Sequence, residues 1–162
     1  MDTEKTLETA GNLVAEWAVE TDQPAPDRLD VIIEPANLPA AVEALHTVKW
    51  GYLVTITGLD KGADEDSFEA LYHFCHDNAV VTLRVQIPKT NPSVPTICGV
   101  IPSASLVERE LSEMFGITVV DTPDPSHLFL PDGWPANQYP LRKDFSAENL
   151  ELEEQATCET TA

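Results

Sequence analysis

Residues 68–87 read FEALYHFCHDNAVVTLRVQI, and this stretch decides the fold. Val81, Leu83, Val85 and Ile87 recur at every second position, the period of a strand with one buried face. Phe68–His76 and Val80–Ile87 are therefore predicted as two antiparallel strands joined by Asp77-Asn78-Ala79. Just upstream, Tyr52 to Thr57 is β-branched and aromatic and ends at Gly58, which predicts a third strand and a three-stranded antiparallel meander. The acidic connection Asp60–Asp66 lacks the alternating ligands and closing Glu of a calcium loop, and reads as a solvated hairpin loop.

Farther upstream the period changes. Leu7, Ala10, Val14 and Trp17 mark a helical face over residues 6–18, followed by a polar, proline-bearing break at Thr21–Pro26. Leu29, Val31 and Ile33 alternate with Arg28, Asp30, Ile32 and Glu34 as a short half-buried strand. Asn37 is placed to cap a helix with the stripe Leu38, Ala41, Val42 and Leu45. The prediction is an α+β fold, a small antiparallel sheet with helices packed on one face.

Downstream, Pro88, Pro92, Pro95 and Pro102 predict an extended stretch. Ser105-Leu106-Val107-Glu108 matches a capping box, and Gly116 marks a helix stop. Between them Ala104, Val107, Leu111, Met114 and Phe115 share one stripe, while Arg109 and Glu113 are spaced to pair on the other face. From Val120 to Phe145 five prolines destroy any period, yet the stretch holds Leu128, Phe129, Leu130, Trp134, Tyr139, Leu141 and Phe145. An irregular segment of this length inside a domain is usually functional, and its apolar content suits gripping a partner. Ser146–Ala162 has five glutamates and no basic residue, and reads as a disordered acidic tail. Three regions result: an α+β domain over 1–119, an irregular docking segment over 120–145, and the tail over 146–162.

Charge narrows the function. The 162 residues carry 28 acidic and 9 basic side chains, a formal charge of −19. Such a surface repels phosphate, so neither nucleic acid nor anionic lipid is an expected partner. No apolar run reaches the roughly 20 residues of a membrane span, and Met1-Asp2-Thr3-Glu4 is acidic where a signal peptide is basic, so a cytoplasmic location is expected. Cys75, Cys98 and Cys158 form no Cys-x-x-Cys pair. In the one cluster, His73-x-Cys75-His76, strand alternation sends His76 to the opposite face from the other two. No metal or cofactor is predicted in this chain.

Catalytic patterns are missing as well. Glu108 and Glu110 are about 200° apart around a helix and cannot converge on one bond. Glu110 and Glu113 share a face, but no histidine or glycine-rich loop accompanies them. Ordinary salt bridges and interface pairs are the better reading. Arg142-Lys143 stands out instead: two of the nine positive charges, framed by Tyr139-Pro140-Leu141 and Phe145, the make-up of an interface anchor.

At these residues a family resemblance emerges. Glu108-Arg109-Glu110-Leu111-Ser112-Glu113-Met114-Phe115-Gly116-Ile117 resembles the signature helix of the 30-kDa subunit family of respiratory complex I, and Tyr139-Pro140-Leu141-Arg142-Lys143-Asp144-Phe145 resembles its terminal motif. Leu71-Tyr72-His73-Phe74, Leu83-Arg84-Val85 and Val94-Pro95-Thr96-Ile97 are similar too, so the likeness spans about Leu29 to Phe145. It implies a non-catalytic, cytoplasmic subunit in the peripheral part of a membrane-bound complex. Its partners would be a large subunit and iron–sulfur subunits. The resemblance also implies an intersubunit role for Glu108, Arg109, Glu110, Phe115 and Gly116 in the helix motif. The same role falls to Pro140, Leu141, Arg142, Lys143, Asp144 and Phe145 in the terminal motif. Glu113, Phe129, Trp134 and Tyr139 complete the expected interface.

Two departures bear on which complex is meant. Thr122-Pro123-Asp124-Pro125-Ser126-His127 lacks the paired arginines of respiratory forms, and Gln138-Tyr139 stands where they tend to have Gly-His. Leu130-Pro131-Asp132-Gly133-Trp134-Pro135 looks more like membrane-bound energy-converting NiFe-hydrogenases, whose NiFe centre and iron–sulfur clusters would lie in the partner subunits. A hydrogenase-type assembly is therefore favoured over an NADH:quinone oxidoreductase. A stand-alone α+β binding or assembly module is the alternative from another class.

Overall fold

The structure, a computed structural model, describes residues 2–62 and 64–149. Helix α1 (Thr3–Val14) leads into strands β1 (Ala18–Ala25) and β2 (Arg28–Ile33). A 3-10 turn, Pro35–Asn37, then precedes helix α2 (Leu38–Thr47), followed by β3 (Tyr52–Asp60), β4 (Ser67–His76) and β5 (Ala79–Pro88). A short β6 (Ser93–Pro95), helix α3 (Ala104–Phe115) and β7 (Thr118–Val120) follow, and a last 3-10 turn covers Ala147–Asn149. Most of the predicted tail, 150–162, lies outside the described residues.

The β3–β4–β5 meander forms as predicted, with Phe74 opposite Val81 and Tyr72 opposite Leu83. Its turn is tighter than expected: His76 pairs with Ala79, leaving Asp77 and Asn78, with Asp77 at φ 51°. The prediction of an antiparallel sheet is corrected. The sheet is mixed and five-stranded, in the order β1-β2-β5-β4-β3, because β2 enters beside β5 in parallel, Val31 against Leu83 and Ile33 against Val85. The supposed break at Thr21–Pro26 is largely β1, an edge strand hairpinned to β2. Both of its faces are solvent-exposed, so no alternation betrays it, and an edge tolerates Pro24.

The helices do lie on one face. Val31, Ile33, Ala70, Tyr72, Val81, Leu83 and Val85 are fully buried beneath them together with the α1 and α2 stripes. The indole of Trp50 donates to the Thr6 carbonyl at 3.0 Å, tying α1 to the loop after α2. Gly58 admits α3: a β-carbon there would lie 2.4 Å from the Phe115 ring. The opposite face carries an ion ladder across three strands and the residue just after β3. Asp30 meets Arg84 at 3.2 Å, Arg84 forks onto Glu69 at 2.8 and 2.9 Å, and Lys61 closes on Glu69 at 3.4 Å.

Candidate functional site

α3 and the segment after β7 form one unit. Residues 121–146 contain no helix or strand, and α3 holds residues 124–130 with Arg109 and Glu113. Arg109 donates to the Ser126 carbonyl (2.8 Å), the Ser126 hydroxyl (2.9 Å) and the His127 carbonyl (2.6 Å), and pairs with Asp124 at 3.2 Å. Glu113 accepts the amides of Leu128 (2.9 Å), Phe129 (2.8 Å) and Leu130 (3.4 Å), with His127 at 3.4 Å. Burial works to raise the Glu113 pKa, but those amides and His127 hold it below the usual value. Arg109 and Glu113 thus grip the segment, each at its own point, rather than pairing with each other.

The second clasp is at the C-terminus of α3. Gly116 caps the helix at φ 66° as predicted, in the left-handed region that favours glycine. The missing side chain also makes room for the segment, since a β-carbon would lie 2.4 Å from the Tyr139 ring and 2.6 Å from the Arg142 guanidinium. Leu141 donates its amide to the Met114 carbonyl at 3.1 Å, and Arg142 Nε donates to the Phe115 carbonyl at 2.6 Å. The guanidinium is sandwiched between Tyr139 (4.2 Å) and Phe68 (4.8 Å). Next along, the Lys143 amide donates to Asp60 at 2.9 Å. Trp134 stacks on Phe145 and donates to the Gln138 carbonyl.

Asp60 is the residue that sequence reasoning missed. It ends β3, nearly buried, and also accepts the Gly62 amide and the Lys89 ammonium, each at 2.9 Å. Burial opposes its charge, yet the Lys143 amide, Lys89 and the Gly62 amide together bring its pKa from 3.8 to about 2. Because the folded value is depressed, the stabilisation is complete above the unfolded value and is lost as pH falls through about 2. Titrating from pH 5 to 2 should cost wild type on the order of 2 kcal/mol more than Asp60→Asn. Chemical denaturation at each pH measures this, and parallel losses in the two proteins would remove Asp60 from the clasp.

The predicted capping box is corrected. The helix begins at Ala104, and Glu108 turns inward instead of back to Ser105. Its carboxylate, 1% exposed, accepts the Thr96 hydroxyl (2.6 Å), the Ile97 amide (2.7 Å) and the Cys98 thiol (3.0 Å). Burial and then the Glu108 charge push the Cys98 thiol up to about 11, and both also drive the nearby Tyr72 hydroxyl well above its ordinary value. Glu110 lies on the α3 surface beside Thr55–Gly58 of β3. Pro140 is half-buried, and Lys143 and Asp144 are exposed. Phe129 and Leu141 are 63% and 53% exposed. Among the described residues no group of three His, Cys, Asp or Glu side chains is placed to hold a metal, and no helix is long and apolar enough to cross a membrane. The arrangement fixes the shape of the segment after β7.

The family described as respiratory-chain NADH dehydrogenase, 30 kDa subunit, matches residues 31–151. Formate hydrogenlyase subunit 5 of Escherichia coli is 33% identical over 73% of this chain, which spans 21% of that protein. An NADH-quinone oxidoreductase subunit of Ruegeria pomeroyi is 37% identical over 72% of this chain and 60% of its own length. Among solved structures, a trypsin-resistant fragment of Nqo5 superposes with a TM-score of 0.57 at 25% identity, covering 76% of this chain and 99% of the fragment. A chain of the membrane-bound sulfane sulfur reductase, an archaeal respiratory membrane complex, shares the fold at TM-score 0.71 and 18% identity, over 98% and 99% of the two chains. The chain belongs to the 30-kDa subunit family of complex I, which includes hydrogenase components.

Proposed function

We propose that this chain is a non-catalytic, peripheral cytoplasmic subunit of a membrane-bound, complex I-related energy-converting NiFe-hydrogenase. It would scaffold a large subunit and iron–sulfur subunits, and those partners would carry the NiFe centre and the clusters. The observation that carries this reading is the clasp itself. Arg109, Glu113, Gly116 and the last carbonyls of α3 hold an irregular segment in one shape, from which Phe129 and Leu141 project. Apolar side chains on a pre-ordered backbone bind with little ordering cost, the economy expected of a docking surface. In this reading residues 128–145 face the partners, with Lys143 and Asp144 at the rim, while Glu108, Arg109 and Glu113 support them from behind.

The hydrogenase assignment is supported by the run Leu130–Pro135 and by the likeness to formate hydrogenlyase subunit 5 and to hydrogenase-4 component G of Escherichia coli, the latter 26% identical over 88% of this chain. The second reading, the 30-kDa-type subunit of an NADH:quinone oxidoreductase, is favoured by the higher identity to the Ruegeria pomeroyi protein. Purifying the chain under native conditions and weighing its companions separates the two. A hydrogenase-like large subunit with iron–sulfur proteins is the expected result. NADH-binding flavoprotein subunits would favour the second reading, and a chain that purifies alone would overturn both.

A further inference from the structure

The two edges of the five-stranded sheet are built oppositely. β1 carries Glu20, Asp22 and Pro24, and its ladder with β2 is interrupted twice. Such charges, prolines and irregularities guard an edge against pairing with other chains. β3 is different. From Tyr52 to Leu59 it holds neither charge nor proline, its ladder with β4 is broken once, between Leu53 and Thr55, and Tyr52, Val54 and Leu59 are 67%, 51% and 40% exposed. Among the described residues, its backbone–backbone bonds run only to β4, and the Thr55 hydroxyl donates to the Ile56 carbonyl at 3.5 Å. Beside Thr55–Gly58 runs a groove of about 180 Å³ floored by Leu111 and Phe115, with Leu141 and Glu110 on its walls. Glu110 has no cation partner among the described residues.

We propose that β3 is where a partner subunit adds one extended strand, apolar at alternate positions and basic beside Glu110. The inference rests on the reading of this chain as a subunit and specifies where and how one partner binds. An added strand satisfies the outward amides and carbonyls of β3, and the groove receives every second side chain. Charge selects the occupant. A second copy would bring another −19 and a β3 with no Lys or Arg, and residues 146–162 would set glutamates against Glu110. A basic segment of another chain complements the site.

Residue-resolved amide hydrogen exchange tests this on the full chain alone and on the complex purified from its own membranes. In the chain alone, every second amide from Thr55 to Leu59, past the register shift, should exchange fast; in the complex those same amides should slow by about 100-fold or more. The double variant Val54→Lys/Leu59→Lys should lower the yield of intact complex about tenfold, whereas Val48→Lys, also an exposed valine, should not. An intact complex whose alternate β3 amides stay fast overturns the proposal while leaving the subunit reading standing. Failure of any complex to co-purify overturns the subunit reading itself. Protection without alternation would mean that a face is covered, not an edge. Protection in the chain alone that rises with concentration would mean a second copy, and protection lost on truncation after Asn149 would mean this chain's own tail. Each of those three results also overturns the proposal.

Discussion

Arg142→Ala is expected to release residues 139–145 from α3 while the sheet stays folded. The side chain gives a charge-assisted hydrogen bond to the Phe115 carbonyl and sits between two aromatic rings. A bond of that kind contributes about 1.5–3 kcal/mol and each of the two cation–π contacts about 0.5–1, so the change should weaken docking by roughly 2.5–5 kcal/mol. That corresponds to about a 70- to 5000-fold rise in local opening. Amide exchange at Leu141 and Lys143, whose protons are held by Met114 and Asp60, reads the opening directly. Arg142→Lys should fall between, because an ammonium keeps the charge but not the flat stack. Unchanged exchange at both amides in Arg142→Ala would show that the remaining contacts suffice. The sequence singles out Arg142 as an anchor for a partner; within the chain its guanidinium already fastens the segment to α3.

Glu108→Ala should destabilise the fold as much as truncating a core residue of α3. Its carboxylate is the common acceptor for Thr96, Ile97 and Cys98, and at 1% exposure bulk water does not replace it. Removal strands two strong donors in the interior and opens a void, a combined cost of about 3–5 kcal/mol. For a domain of this size that lowers Tm by about 10 °C. Glu108→Gln keeps the shape and one acceptor and should lose about half as much. Thermal unfolding followed by circular dichroism measures both, and a Glu108→Ala loss below about 1 kcal/mol would remove the carboxylate from the core account.

How legible each part was depends on which force shapes it. The β4–β5 hairpin and the stripes of α1, α2 and α3 follow from burial, which prints its period on the sequence. β1 does not bury a face, so its polar residues resemble a loop. The parallel entry of β2 beside β5 depends on pairing across some fifty residues, and the alternation of Leu29, Val31 and Ile33 is the same for either direction. At the site, the family motifs drew attention to α3 and to residues 139–145, which the structure brings into contact through Met114, Phe115 and Gly116. The polar wiring was not readable. Glu108 fits a capping box by spacing, but its partners lie in the 96–98 loop. Asp60 looks like one more acid in an acidic connection, and only the fold brings Lys89 and the Lys143 amide to it.

That last junction has a consequence for biogenesis. Asp60 and Lys143 are 83 positions apart, so the ribosome releases the acceptor long before the donor. A growing chain can close its sheet, seat α3 over Gly58 and still display a carboxylate waiting at the end of β3. Only when residues 139–145 emerge and lie down does the surface become whole. A partner docked on this segment, as proposed above, would inspect in a single contact whether synthesis and folding have both finished, and a fragment cut short at α3 would carry no such proof.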